Sequence, residues 1–148
     1  MSAISLRGLT RRFGDHVAVD GIDLDAAAGT FVVLLGPSGC GKSTTLRLIA
    51  GLEPADGGRI TIGARDVTTT PAADRGIAMV FQSYALFPHL SVAENIVFGL
   101  RVRRLPRAER ERRLQRAAEL LGLQAVLQRK PAELSGGQRQ RVALGRAI

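Results

Sequence analysis

The plainest chemistry in the sequence lies in Gly36-Pro37-Ser38-Gly39-Cys40-Gly41-Lys42-Ser43, with Thr44 next. Glycines, a lysine and a hydroxyl at this spacing match a loop that wraps phosphate groups. The glycines let the backbone turn tightly and aim several N–H groups inward. A helix starting at the same place adds unpaired N–H groups and the positive end of its dipole, both favourable to phosphate oxygens. Lys42 can reach the β- and γ-phosphates of a nucleotide, and the Ser43 hydroxyl can ligate Mg²⁺. Thr44 can support the phosphates through its hydroxyl or N–H. The loop alone leaves adenine and guanine nucleotides both open. Cys40 reads as a small space-filling loop residue, because nothing near it in sequence makes a cysteine nucleophile.

A loop of this kind needs a strand before it and a helix after it. Thr30-Phe31-Val32-Val33-Leu34-Leu35 is continuously apolar and partly β-branched, which predicts a strand buried on both faces. Thr45, Leu46, Leu48 and Ile49 predict the helix, and Gly51 its stop. Upstream, Ile4, Leu6 and Leu9 predict one strand. Val17, Val19, Ile22 and Leu24 predict two more short strands joined near Asp20-Gly21. Downstream, residues 53–58 read as a surface connection. Arg59–Ile62 and Ile77–Phe81 predict further strands.

The second half reads as helical. Ser91 and Glu94 have capping-box spacing ahead of Ile96, Val97 and Phe98. Pro106 can open another helix, with Glu109 and Glu111 in its early turns. Leu114, Ala117, Ala118 and Leu121 put one apolar stripe on that helix, and Gly122 can end it. Ser135 is placed to cap a last helix running through Val142, Ala143 and Ile148.

Composition narrows the classes. Hydrophobic residues make up 45% of the chain, which excludes pure disorder. One cysteine excludes an internal disulfide framework. The apolar runs are too short to span a bilayer, and no leader-like N-terminal stretch predicts export. The net charge of +8 is concentrated in residues 101–130, with 10 basic and 3 acidic side chains. Such a block can attract nucleic acid or anionic lipid without specificity, or simply form a solvated helix face. His16, His89 and the group Asp20, Asp23 and Asp25 read as surface polarity and not as metal ligands.

Leu134-Ser135-Gly136-Gly137-Gln138 joins the phosphate loop as a second spaced motif, followed by Arg139-Gln140-Arg141-Val142-Ala143. Val80-Phe81-Gln82 supplies a third. Together they resemble the ATPase domain of ATP-binding cassette (ABC) transporters, from the N-terminal strands to Ile148. Residues 82–90, Gln-Ser-Tyr-Ala-Leu-Phe-Pro-His-Leu, resemble the ATPases of sugar and glycerol-3-phosphate importers in particular; polyamine, iron and sulfate importers stay open.

The resemblance implies an α/β fold: a P-loop nucleotide hydrolase-like core with N-terminal antiparallel strands and a helical insertion, incomplete at the C-terminus. Residues 1–82 would be the nucleotide-binding core, 83–133 the helical insertion, and 134–148 the signature motif with its helix. It implies ATP and Mg²⁺ as cofactors. Gly36, Ser38, Gly39, Cys40, Gly41, Lys42, Ser43 and Thr44 would hold phosphate. Phe13 would stack on adenine, offering a π face to the base. Gln82 would ligate Mg²⁺ or orient water through its amide carbonyl, and it stands with Lys42 as a catalytic candidate. Ser135, Gly136 and Gly137 would form another cradle at a helix start, closing over ATP held by a second subunit, with Gln138 organising that interface.

The implied partners follow. They are a second ATP-binding cassette subunit arranged head to tail, separate membrane-spanning permease subunits, and indirectly an extracytoplasmic solute-binding protein. The expected location is cytoplasmic, peripheral on the inner face of the cell membrane. The family's domain continues into a strand carrying an Asp for Mg²⁺ and a Glu acting on the attacking water, with a histidine further on. The 148 residues are therefore expected to be a truncated piece with little ATPase turnover and an exposed 31–35 segment. Two alternatives are a noncatalytic ATP-binding fragment and a soluble ABC protein acting in translation or DNA repair. The importer-like stretch argues against the second, and so against nucleic acid as partner.

Overall fold

A computed structural model describes residues 2–147. They fall into two units, Met1–Ile77 and Ala78–Ile148. In the first unit, β1 (Ile4–Phe13) and β2 (His16–Ala26) form a long antiparallel hairpin turned at Gly14-Asp15. Helix α1 (Lys42–Ala50) follows, then β3 (Gly57–Ile62) and the short β4 (Arg65–Asp66). The sheet order is β2-β1-β3-β4, with all neighbours antiparallel.

The hairpin is kept in register by bulges. Leu6 and Leu9 are both fully buried although three residues apart, where a regular strand would turn them to opposite faces. The register slips between them, and the intervening Gly8 has φ of 55°. The extra residue restores the parity of the buried face. The Gly8 N–H donates to the Asp23 carboxylate at 2.6 Å, so one of the surface aspartates fastens the bulge. A second slip lies between Leu9 and Arg11, opposite Gly21. Val17, Val19, Ile22 and Leu24 therefore belong to one strand and not two, because Asp20-Gly21 makes a bulge where the sequence predicted a turn. Leu6, Leu9, Val19, Leu48, Ile60 and Val67 pack into the core of this unit.

Residues 31–35 form no strand, nor do residues 77–81. Phe31 is 92% exposed and Leu35 88%. A strand is stabilised by the ladder on either side of it, and among the described residues none pairs with these segments. The exposure of 31–35 agrees with the sequence expectation; the strand conformation does not.

The second unit is helical. Helix α2 (Val92–Val102) carries the expected capping box of Ser91 and Glu94. Helix α3 (Arg107–Leu121) begins after Pro106 and ends on Gly122, φ 61°. Helix α4 (Gly136–Ala147) starts after Ser135; Ile148, placed in this helix from the sequence, lies outside the described residues. The core gathers Val92, Ile96, Leu114, Ala117, Ala118 and Val142, which includes three members of the predicted α3 stripe. Among the described residues no helix is long and apolar enough to cross a membrane.

Candidate functional site

Helix α1 opens on Gly41, whose φ of 88° lies in the left-handed region. A β-carbon there would also collide with the carbonyl oxygen of Ala18 in β2, so both backbone angle and contact demand glycine. No side chain caps this helix and no acidic residue stands in its first turn. Its leading N–H groups are therefore free of side-chain competition and oriented to favour an anion.

The Lys42 ammonium folds back over the loop. Nζ donates to the Gly36 carbonyl at 2.8 Å and the Pro37 carbonyl at 2.6 Å, and lies 3.3 Å from Cys40 Sγ. These are neutral acceptors, and a phosphate oxygen is a stronger one. The charge is thus parked where an arriving phosphate can take it over.

A cavity of about 440 Å³ lies beside the loop. Ser38, Gly39, Gly41, Lys42, Ser43 and Thr44 bound it from the loop and α1, and Phe13, His16 and Ala18 from the β1–β2 hairpin. Phe13 is 45% exposed. This set fits a nucleoside triphosphate, with an N–H-rich, cationic region and an aromatic ring along one cavity. For Mg²⁺, Ser43 offers a hydroxyl. Among the described residues no group of three His, Cys, Asp or Glu side chains could hold a metal alone, so the ion would depend on phosphate oxygens as well.

The structure therefore brings Phe13, Ser38, Gly39, Gly41, Lys42, Ser43 and Thr44 to one cavity, while Gly36 and Cys40 reach the site through their contacts with Lys42. Gln82 and the signature residues belong to the second unit. Gln82 is exposed on an irregular segment. Just beyond it, Tyr84 and Ala85 have φ of 63° and 46°, unusual for residues with a β-carbon. Arg146 donates to the Ala85 carbonyl at 2.6 Å and lies over the Phe87 ring at 5.3 Å. Asn95 is fully buried and acts as a clamp. Its Nδ2 donates to the carbonyls of Phe87, Leu90 and Ser91, and its Oδ1 accepts from the Phe87 N–H. At the start of α4, the Ser135 hydroxyl accepts from the Gln138 N–H at 3.2 Å. In return the Gln138 side chain accepts from the Ser135 N–H at 2.9 Å. Gln138 thus organises the helix cap itself.

Several residues around the site have no place in it from the sequence alone, His16 among them, which reads there as surface polarity. His16 and Ala18 line the cavity only because the hairpin folds back on the loop. Arg11 lies over Phe13, which i, i+2 spacing on one strand could have signalled. Arg75 and Asn95 have no motif to mark them: Arg75 fills backbone carbonyls as far back as Leu48, and Asn95 fills those of the loop four to eight residues before it.

Known proteins give the family. The sequence pattern of the family described as "ABC transporter" matches residues 19–148. The sn-glycerol-3-phosphate import ATP-binding protein UgpC 1 of Rhizobium johnstonii is 55% identical over 148 residues, all of this chain and 40% of that protein. The osmoprotective compounds uptake ATP-binding protein GgtA of Synechocystis sp. is 55% identical over 148 residues, 41% of its length. The chain thus spans about two fifths of the curated relatives it matches. Among solved structures, a dimeric post-hydrolysis state of the ATP-binding cassette MJ0796 bound to ADP and Pi is similar at a TM-score of 0.86 and 30% identity. That likeness covers 98% of this chain and 68% of the other. With a family pattern running from the β1–β2 hairpin through the phosphate loop to the α4 motif, the chain belongs to the ABC transporter family.

Proposed function

We propose that this chain is the ATP-binding part of an import ATPase, coupling ATP binding and hydrolysis to solute uptake through separate permease subunits. The observation that carries this is the single cavity bounded by an uncapped helix start, Lys42, Ser43 and the Phe13 ring. Phe13 stacks on the base; the loop N–H groups and Lys42 hold the phosphates; Ser43 holds Mg²⁺. The bound ion supplies charge neutralisation at the β- and γ-oxygens. Gln82 orients water or the ion. Ser135, Gly136 and Gly137 present N–H groups to nucleotide on a second, head-to-tail subunit. The relatives named for sn-glycerol-3-phosphate import and for uptake of osmoprotective compounds support an importer. On this reading it is of sugar or glycerol-3-phosphate type, peripheral to the inner face of the membrane through its permeases and served by a solute-binding protein. In this division, 1–82 is the nucleotide core, 83–133 the insertion that meets the permease, and 134–148 the signature segment.

A second reading, an ATP-binding fragment without turnover of its own, has one observation behind it: no carboxylate lines the cavity among the described residues, so it offers no general base to the attacking water. The test is calorimetric titration with Mg-ATP and with Mg-tripolyphosphate, run on the full chain and on Lys42→Ala. Loss of the charged hydrogen bonds should weaken both ligands about tenfold or more. Equal affinity in the variant would refute the nucleotide reading.

A further inference from the structure

Phe13 is not a free-standing ring. The Arg11 guanidinium lies over it, 4.6 Å from the ring centroid. Phe13 lines the cavity and Arg11 does not, so the cation backs the ring from outside the cavity. Arg11 is itself gripped from another part of the chain. Its Nη1 donates to Asp56 Oδ1 at 2.9 Å and its Nη2 to Glu53 Oε2 at 3.3 Å. The Arg11 side chain is only 16% exposed, so these contacts are partly shielded from water. Asp56 is doubly engaged, because its other oxygen accepts from the Arg12 backbone N–H at 2.7 Å. That N–H, helped by the charge of Arg11, holds the Asp56 carboxyl below the usual carboxylate range, so it is fully ionised at neutral pH.

The connectivity gives this cluster its meaning. Glu53 and Asp56 sit on the segment that leaves the C-terminal end of α1, and the N-terminal end of α1 is the phosphate cradle. Arg11 therefore ties the ring on β1 to the element that carries the cradle. We propose that Arg11 is a positioning residue for base recognition, holding the Phe13 ring at a set place relative to the phosphate loop and backing it with a cation. A guanidinium on one face draws ring electron density toward itself, leaving the opposite face better suited to an electron-rich purine. Two carboxylates, Asp56 itself anchored by the Arg12 N–H, keep the guanidinium plane from drifting, which a flexible lysine or a solvated arginine would not achieve. The inference rests on the proposed nucleotide site and assigns part of its preference for nucleotide over bare phosphate to a residue outside the cavity.

The experiment compares Mg-ATP with Mg-tripolyphosphate on the full chain, together with the NMR signals of the Phe13 ring. In the wild type, ATP should shift those ring signals and tripolyphosphate should leave them in place. Arg11→Met should weaken ATP about fivefold and shrink the ring shift, with tripolyphosphate affinity unchanged; Arg11→Lys should recover part of the loss. A merely structural role would weaken both ligands alike, and that result, or unchanged ATP affinity in Arg11→Met, overturns the proposal. Should Arg11→Met fail to fold, Arg11→Gln is read by the same criterion. A wild-type chain that binds neither ligand refutes the nucleotide site itself. A wild type that binds both with no response at Phe13 refutes base stacking. Either is distinct from a failure confined to the Arg11 variants.

Discussion

Replacing Arg75 by methionine should loosen the far end of the phosphate-loop helix. Arg75 is 7% exposed. All its side-chain partners are carbonyl oxygens: Nη1 reaches Leu48 at 2.7 Å and Ile49 at 2.9 Å, Nε reaches Thr70 at 2.8 Å, and Nη2 reaches Thr68 at 3.1 Å. Leu48 and Ile49 lie in the last turn of α1, where carbonyls lack helical partners and the dipole favours a cation. Burial pushes the Arg75 pKa down from its ordinary value. Gly51, φ 74°, lies against the guanidinium, with no room for a β-carbon. Methionine keeps the apolar stem and deletes every donor. Leu48 retains the Gly51 N–H at 3.1 Å, whereas the carbonyls of Ile49, Thr68 and Thr70 lose their side-chain donor. At roughly 1 kcal/mol for each partly buried orphan, the loss is about 3 kcal/mol. Arg75→Lys, with one compact ammonium in place of a planar fork, should recover no more than about a third of it. Urea unfolding followed through the α1 amide signals measures the change by linear extrapolation. A loss under about 1 kcal/mol in Arg75→Met, or a lysine variant as stable as wild type, would refute this account of the cap.

The remaining predictions concern the second unit. Asn95→Ala should destabilise it by about 2 kcal/mol, since the partly buried Phe87 N–H and Leu90 carbonyl lose the partner that holds residues 87–91; hydrogen exchange at α2 and at Phe87 would report it. Glu94 has its pKa lowered, first by the Ser91 backbone N–H and then by the Ser91 hydroxyl. A lowered folded-state pKa means that its stabilising contribution is complete above the ordinary carboxylate value of about 4.3 and is lost as pH falls through the folded value. Glu94→Gln should therefore be less stable than wild type at neutral pH, and the gap should close in acid. Parallel thermal-melt profiles from neutral pH to about pH 3 would test this, and a constant gap would refute it.

What could be known from the residue order was local. The glycines and lysine of the phosphate loop, the Ser91–Glu94 and Ser135 caps, and the stops at Gly51 and Gly122 each depend on atoms within a few residues, so spacing alone specifies them. The grouping of Phe13 with that loop came only from family likeness until the hairpin was seen to fold beside α1. Tertiary contacts decided the rest. Residues 31–35 look like a buried strand, yet a strand exists through its neighbours, and here the apolar run lies exposed. Gly21 looks like a turn, yet the pairing of β1 with β2 absorbs it as a bulge. Arg11 and Arg75 satisfy charges and backbone groups up to 45 positions away in the chain, and Asn95 ties down an irregular loop four to eight residues before it. Periodicity carries no record of such partners, because they meet only once the chain has closed on itself.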